Sequence, residues 1–373
     1  MTVDEHEAAA VAARKAEHVE LALQPAAQPP GGPGWSEVEL AHASLPEVDL
    51  DEVDLRTELL GARLRAPLVI AGMTGGHPQA EALNARLGAA AQRHGLAVGV
   101  GSQRAALLDA SLRTTYAAVR RYAPDAYVIA NIGVAQLIPQ AAGAALELGD
   151  VRRLVEMVTA DALAVHLNFL EEVIQPEGDR RARGCAAAIA RICEAIPVPV
   201  IAKETGGGMT LETAEQLREL GVAALDVGGA GGTSFAAIER LRAERQGDLR
   251  GASLGKAFAS WGIPTPAAIS ATAGAGIPVI ATGGVRSGLD AAKALTMGAE
   301  AVGVARPLLA AAIEGDEAID SWIGQFLLEL RTALFLTGSA TPRQLRQRRV
   351  VLSGRTRAWV EDLGCRAHRA PMP

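Results

Sequence analysis

The stretch "ALAVHLN", residues 162–168, sets the architecture. Four apolar residues run without a break, and then His166 and Asn168 flank a leucine. A short run that is apolar on both of its faces fits a strand covered on both sides, as in a parallel sheet packed between helices. Seven other runs share this form: "APLVIAGM" (66–73), "AVGVGS" (97–102), "AYVIANIG" (126–133), "PVIAKET" (199–205), "ALDVGG" (224–229), "PVIATGG" (278–284) and "AVGVARP" (301–307). Each ends on small or polar residues, and Ala/Leu-rich helical stretches separate them. Eight strand–helix units in roughly 250 residues predict an α/β fold, a (β/α)8 TIM barrel.

Around this repeat the chain divides into three parts. Residues 1–60 form an N-terminal extension that closes over the active site, 61–315 the barrel, and 316–373 a C-terminal helical segment and tail. Residues 1 to about 12 read as frayed. "QPAAQPPGGPGW" (24–35) is too rich in Pro and Gly for helix or strand and reads as a linker or a crossing loop. A helix is expected near "IDSWIGQFLLELRTALFLTG" (319–338), with Gly338 as its stop. The basic "RQLRQRR" from Arg343 reads as a solvated helix face. The longest connection, 230–277, is a candidate lid.

Composition narrows the function. Apolar residues make up 49% of the 373, enough for a large core, but aromatics are only 3%, too few for a sheet that stacks bases. With a net charge of −6, nothing draws the chain to nucleic acid or to an anionic membrane. Cys185, Cys193 and Cys365 have no metal spacing and read as reduced thiols of a cytoplasmic protein. The start, "MTVDEHEAAAVAARK", lacks the apolar segment of a secretory signal, and no apolar run approaches the ~18 residues of a membrane span.

In a barrel of this kind the active site lies where the strands end. The strand ends carry Thr74, Ser102, Asn131, His166, Asn168, Lys203, Glu204 and Thr233. The last two end in "ATGGVRSG" and "VARP", whose glycines let backbone amides approach a phosphate while Arg286 adds charge. "GMTGG" suits a flat polar ring resting on backbone, Asn131 can donate to and accept from an amide-like ring edge, and Lys203 would face a ring carbonyl or anionic nitrogen. A ring in the mouth with a phosphate tail at the last two strands is a flavin mononucleotide arrangement. Taken singly, Lys203 is equally well the partner in a structural ion pair.

The ordered motifs "RKAEH" (14–18), "APLVIAGMTGG", "VGSQR", "ANIGVAQL", "HLN", "QPEGD", "VIAKETGGG", "GGAGGTS", "WGIPT" and "ATGGVRSGLDAAKAL" resemble those of the FMN-dependent type 2 isopentenyl diphosphate isomerases, from about Arg14 to Leu345. The resemblance implies flavin contacts at Met73, Thr74, Gly75, Ser102, Asn131, Lys203, Thr233, Gly283, Gly284, Arg286 and Ala305. It implies a cage for the diphosphate and substrate from Arg14, Lys15, His18, Arg104, His166 and Asn168. Glu172 takes the place of a Mg2+ ligand reaching the diphosphate.

Three positions depart from the family pattern. The residue usually assigned a part in proton transfer is Gln, and here it is Glu171; a Pro is replaced by Phe169, and a common Trp by Phe235. The changes are expected around the hydrocarbon of the substrate, while the flavin and phosphate ends stay intact. The resemblance thus implies a redox-neutral double-bond isomerisation of an isoprenoid diphosphate, with Glu171, His166 and Asn168 as catalytic residues. NAD(P)H would serve as reductant only, and the assembly would be a homo-oligomer, a tetramer or larger. Rival readings are a specialised isomerase or cyclase on a longer or alkylated prenyl diphosphate, an FMN-dependent hydride-transfer oxidoreductase, and an inactive flavin- or diphosphate-binding protein.

Overall fold

The computed structural model describes residues 3–141 and 143–363. Eight parallel strands close into a barrel in sequence order: β1 (Leu68–Ile70), β2 (Ala97–Gly99), β3 (Tyr127–Gly133), β4 (Ala162–Leu167), β5 (Val200–Glu204), β6 (Ala224–Asp226), β7 (Val279–Thr282) and β8 (Ala301–Val304). All eight lie within the apolar runs expected to hold them. The ring closes where Val302 of β8 pairs with Leu68 of β1.

The packing explains why the runs do not alternate. Val69, Ala97, Ile129, Ala162, Ala164, Ile201, Ala224, Ile280 and Ala301 fill the barrel interior. Their strand neighbours, such as Leu68, Ile70, Val98, Leu163 and Val165, pack outward against the helices. Both faces are therefore dry, and each must be apolar. A hairpin, Thr57–Leu59 with Ala62–Leu64, stops the N-terminal end of the barrel by inserting Leu59 and Leu64 into the inner cluster. Ile201 is 1% exposed in this interior, so truncation to Ala would cost about 2–5 kcal/mol.

Helix α1 (Val3–Ala22) is continuous through the segment expected to fray, consistent with its many alanines. Its Val11 packs on Ala105 and Leu112, and Leu21 packs with Ala27 and Ile238, which lays the helix across the C-terminal mouth of the barrel. A short helix, α2 (Phe169–Ile174), follows β4. The long connection after β6 is helical where a loop was expected: it holds α3 (Phe235–Gln246), Leu249–Ala257 and Thr265–Thr272. Ion pairs Glu17–Arg242 at 3.0 Å and Glu20–Arg245 at 2.7 Å join α1 to α3.

Helix α4 (Asp316–Leu336) lies where the sequence placed it, and Gly338 beyond it is left-handed at φ 66°. The basic segment after Arg343 is not a long helix. Pro342–Leu345 makes one turn, and Val350–Leu352 then pairs antiparallel with Val38–Leu40, Val38 opposite Leu352. The β-branched "VV" and the need to cover the edge of Val38–Leu40 outweigh the charge pattern. Among the described residues no helix is long and apolar enough to cross a membrane. Cys365 lies outside the described residues.

Candidate active site

A cavity of about 800 Å3 opens at the C-terminal mouth of the barrel, walled by strand ends, by α1 and by the turns after β7 and β8. That size is in the ~300–1,000 Å3 range of ligand and cofactor sites. Nearly every candidate residue lines it: Arg14, Lys15 and His18 from α1; Met73, Thr74 and Gly75 after β1; Ser102 and Arg104 after β2; Asn131; His166 and Asn168; Glu171 and Glu172; Lys203; Thr233 and Phe235; Gly283, Gly284 and Arg286; and Ala305. Phe169 is the exception. It stays off the cavity wall and packs against the outer core, because α2 turns its side chain away from the mouth.

One half of the cavity is a neutral-to-basic cradle. Gly283 (φ 130°) and Gly284 (φ 66°) take conformations that side chains resist, and a Cβ on Gly284 would come within 2.7 Å of Pro33. Arg286 beside them is held by Gln28 at 2.6 Å, and Gln28 in turn donates to Thr233 at 3.2 Å. Arg306 also lines this end and donates to the Leu23 carbonyl at 2.7 Å; burial and Arg286 pull its pKa below the usual arginine range. The sequence pointed to the strand but not to Arg306, although its place two residues beyond β8 was a usable signal.

At the floor, Lys203 Nζ donates to Asp226 Oδ2 at 2.8 Å across β5 and β6. Asn131 Oδ1 accepts from His166 Nδ1 at 2.8 Å, which fixes the proton on Nδ1 and leaves Nε2 as an acceptor. Burial, with Lys15 and Lys203 nearby, drives the His166 pKa down to about 3, so this imidazole is neutral at neutral pH. It can orient a ligand but adds no charge to an anion cage. Glu204 is also on the cavity wall, tied into its own loop: its Oε2 accepts from the amides of Gly206, Gly207 and Gly208 at 2.6, 2.5 and 3.1 Å. Burial nonetheless raises its pKa to about 7, against the pull of those amides.

The other half is charged. Lys15 Nζ donates to the Ser102 carbonyl at 2.6 Å and lies 3.2 Å from the Tyr116 hydroxyl. Burial, reinforced by Arg14 and opposed by Glu171, lowers its pKa to about 7. Arg104 meets Asp179 at 3.0 Å, and the Asp179 amide donates to Glu172 Oε2 at 2.8 Å. Thus "QPEGD" folds back onto Glu172. A Cβ on Gly178 would sit 2.9 Å from Glu172 Cα, so only glycine permits this approach. Burial raises the Glu172 pKa to about 7, the Asp179 amide opposing and Glu171 adding to the rise.

Asn168 stands at the N-cap of α2 without capping a backbone amide. Its Nδ2 donates instead to Glu171 Oε2 at 3.1 Å and Glu172 Oε1 at 3.0 Å. Gln175 Nε2 bridges Glu171 Oε1 at 2.8 Å and Glu239 Oε1 at 3.0 Å, and Gln175 Oε1 accepts from Arg14 at 3.2 Å. His18 Nε2 meets Glu239 at 2.7 Å, and Arg242 meets it at 2.6 Å. Burial pushes the Glu171 pKa up, with His18 opposing and Glu239 adding to the rise. Burial acts likewise on Glu239, but His18 and Arg242 outweigh it and hold its carboxyl low. Gln175, Glu239 and Arg242 were not singled out in the sequence. Gln175 sits inside the recognised "QPEGD", whereas Glu239 and Arg242 lie within α3, where charged residues read as solvent-facing.

Whether flavin mononucleotide and Mg2+ fit can be judged from the wall itself. The left-handed glycine pair flanked by Arg286 and Arg306 suits a phosphate. Thr282 Oγ1 and Asn168 Oδ1, both on the cavity wall, are buried without a hydrogen-bond partner, as is Asp226 Oδ1 behind Lys203. Glu172 and the Asn168 carbonyl are hard oxygen donors of the kind Mg2+ takes. Both groups fit the residues present.

Comparison with known proteins identifies the family. The profile of the FMN-dependent dehydrogenase family matches residues 151–352. A protein of Methanoregula boonei named isopentenyl-diphosphate delta-isomerase is 46% identical over 352 residues, covering 94% of this chain and 96% of its own. One of the same name from Archaeoglobus fulgidus is 45% identical over 351 residues, covering 94% and 99%. Among solved structures, a Pediococcus acidilactici protein described as a lactate oxidase superposes with a TM-score of 0.59 at 19% identity over 86% of this chain and 84% of that one, which is a likeness of fold alone. With near-full-length identity at this level over a barrel whose mouth carries the expected side chains, the chain belongs to the type 2 isopentenyl-diphosphate delta-isomerase family.

Proposed function

We propose that the chain is an FMN-dependent isomerase that moves the double bond of an isoprenoid diphosphate, interconverting isopentenyl and dimethylallyl diphosphates, by adding a proton at one carbon and removing one at another. The observation that carries this reading is one cavity with two unlike ends. A glycine cradle with Arg286 and Arg306 lies at one, and Arg14, Lys15, Arg104 and Glu172 lie at the other. The first suits the flavin phosphate, with Asn131 and Lys203 toward the ring. The second suits a diphosphate, with Glu172 holding Mg2+ against it.

When bound in its reduced form, flavin mononucleotide supplies an acid/base centre beside the substrate, and NAD(P)H serves only to reduce it. The chain's own part is to hold and exclude. Arg14, Lys15 and Arg104 fix the diphosphate, so the hydrocarbon lies toward Phe235 and Glu171. Helix α1 covers the mouth and keeps water away. A protonated Glu171, favoured by its burial, can donate to an alkene carbon, and its carboxylate can take a proton from the allylic position. Asn168 and Gln175 hold both oxygens of Glu171 in place.

A second reading, a specialised isomerase or cyclase on a longer prenyl diphosphate, has one observation in its favour. Glu171 and Phe235, two of the departures from the family pattern, share a wall beyond which a narrower hollow runs past Leu170, Trp261 and Pro264. Phe169 lies outside that wall and does not bear on it. The hydride-transfer reading leaves the Arg14, Lys15 and His18 face without a role. Exposed Trp261 (64%) is apolar surface of the kind that a cytoplasmic homo-oligomer would cover.

The test is to incubate the reduced FMN enzyme and Mg2+ with five-carbon to twenty-carbon diphosphates, identifying products by mass and NMR. Dimethylallyl diphosphate from isopentenyl diphosphate supports the first reading, and turnover confined to longer chains the second. Absence of turnover on every diphosphate refutes both.

A further inference from the structure

We propose that Phe235 is a partition that limits the substrate to a single isoprene unit, and that the hollow behind its ring becomes the seat of a second unit once the ring is removed. The inference rests on the isomerase reading and adds what sets the length of the hydrocarbon. The main cavity and the narrower hollow share one wall, lined on both sides by Glu171, Glu204, Thr205, Gly206, Thr233 and Phe235. The hollow measures about 30 Å3, room for little more than one water and none for an isoprene unit. Of the six shared residues, Phe235 is the large apolar one. Glu171 is held by Asn168 and Gln175, and Glu204 by the amides of its own loop, so neither carboxylate is free to swing aside.

The ring is fixed from both directions. Phe235 is the first residue of α3, and Ser234 before it caps the helix: its Oγ accepts from the Ala237 amide at 3.2 Å and donates to the Ala259 carbonyl at 3.0 Å. Ala259 lines the hollow, so the cap ties the partition to the hollow's own wall. On the other side Phe235 packs against the cluster of Leu21, Ala27 and Ile238. Its ring meets His18 edge-on, with centroids 6.1 Å apart and planes at 67°. A side chain seated by a cap, by α1 and by an apolar cluster is a wall rather than a mobile gate.

The chemistry behind the wall is that of a hydrocarbon seat. Pro29, Pro30, Leu170, Ala230, Ala236 and Pro264 line the hollow, which runs on to Trp261 at the surface. Small and apolar residues on that path would take a branched chain without burying a polar group unpaired. With the diphosphate fixed by Arg14, Lys15 and Arg104, the hydrocarbon points toward Phe235, so a longer chain meets this ring first. Removing the ring joins the hollow to the main cavity and leaves no charge or unpaired donor behind.

The test compares the FMN holoenzyme with Phe235→Ala, on isopentenyl diphosphate and on ten-carbon geranyl diphosphate. Turnover is followed by deuterium uptake from D2O, and binding to the oxidised form by calorimetry. Phe235→Ala should raise the ten-carbon to five-carbon ratio of kcat/KM by about tenfold or more, the scale at which a pocket discriminates hydrocarbon length. Adding Ala259→Phe, which refills the hollow, should cancel that gain. Phe235→Leu, with a smaller change of volume, should move the ratio the same way by less and provides a second variant if the alanine form does not fold; flavin content and circular dichroism check each protein. A ratio unchanged in both variants, a gain that survives Ala259→Phe, or a native enzyme that accepts geranyl diphosphate as well as isopentenyl diphosphate overturns the partition. Native enzyme that turns over neither diphosphate refutes the isomerase reading instead, and the ratio of binding affinities for the two diphosphates then decides the partition by the same criteria.

Discussion

Lys203 and Asp226 are register partners on β5 and β6, and the lysine ammonium sits 2.8 Å from one carboxylate oxygen while the other oxygen has no partner. The pair is little exposed, so the ammonium has a fixed position at the floor of the cavity. The purified protein is therefore expected to be yellow, with non-covalent FMN. Lys203→Ala should lower flavin occupancy and leave Asp226 as an unpaired buried charge, a loss of about 3–5 kcal/mol in stability. Absorbance of the released flavin and thermal melts measure both. Flavin-free protein that takes up no FMN at micromolar concentration would count against the cradle.

Turnover should need reduced flavin yet consume no stoichiometric NAD(P)H. Enzyme reduced photochemically under anaerobic conditions should form many products per flavin. One NAD(P)H oxidised per product without oxygen would move the assignment to hydride transfer.

Glu172→Gln should remove most activity and the response to Mg2+ together, because an amide is a weak ligand for a hard cation. The check is a Mg2+ titration of both forms at saturating substrate. An unchanged titration would take Glu172 out of the metal site.

The Lys15 pKa of about 7 gives diphosphate binding a pH dependence. Above that value the free enzyme holds Lys15 neutral, and binding an anion favours the charged form, so a proton is taken up on binding. Affinity should then fall up to about tenfold per pH unit above 7 and level off below it. Lys15→Arg, whose guanidinium stays charged, should flatten the profile. Inhibition by inorganic diphosphate between pH 6 and 9 provides the measurement.

Glu171→Gln distinguishes an acid/base from a spacer. If Glu171 moves a proton in turnover, the native rate should fall by roughly 10²-fold or more. If it only fills the place of an amide, the change should stay below about tenfold, ~1.4 kcal/mol in barrier. Single-turnover rates of the reduced enzyme decide between the two.

The strands were legible because both faces of each are buried: Val69 looks into the barrel and Leu68 and Ile70 look out, so no polar residue interrupts the run. The site followed, since a parallel barrel presents its chemistry at strand ends. What escaped the sequence reading came from outside the repeat. The strand at Val350–Leu352 depends on a partner more than 300 residues earlier, and a basic neighbourhood hid it. Glu239 and Arg242 lie on a helix whose buried face carries charge, the reverse of the usual pattern, because that face meets α1 and not an apolar core. Phe169 was placed in the pocket by its neighbours in sequence, but one helical turn was enough to send it to the opposite side.

The pairing of Val38–Leu40 with Val350–Leu352, and the seating of α1 on α3, bear on how the protein is made. The helix that walls the barrel mouth is synthesised well before α3, which it docks against and which emerges more than 200 residues later. The ring itself stays open until β8 reaches β1. Contacts of such long sequence separation make folding slow, and they leave strand edges bare during translation. A nascent chain stalled before residue 300 would carry every residue of the diphosphate cage but no complete phosphate cradle, since Ala305 and Arg306 are still to come. Flavin binding therefore waits for β8 and the turn after it, and FMN present at that moment would capture the closed ring by mass action.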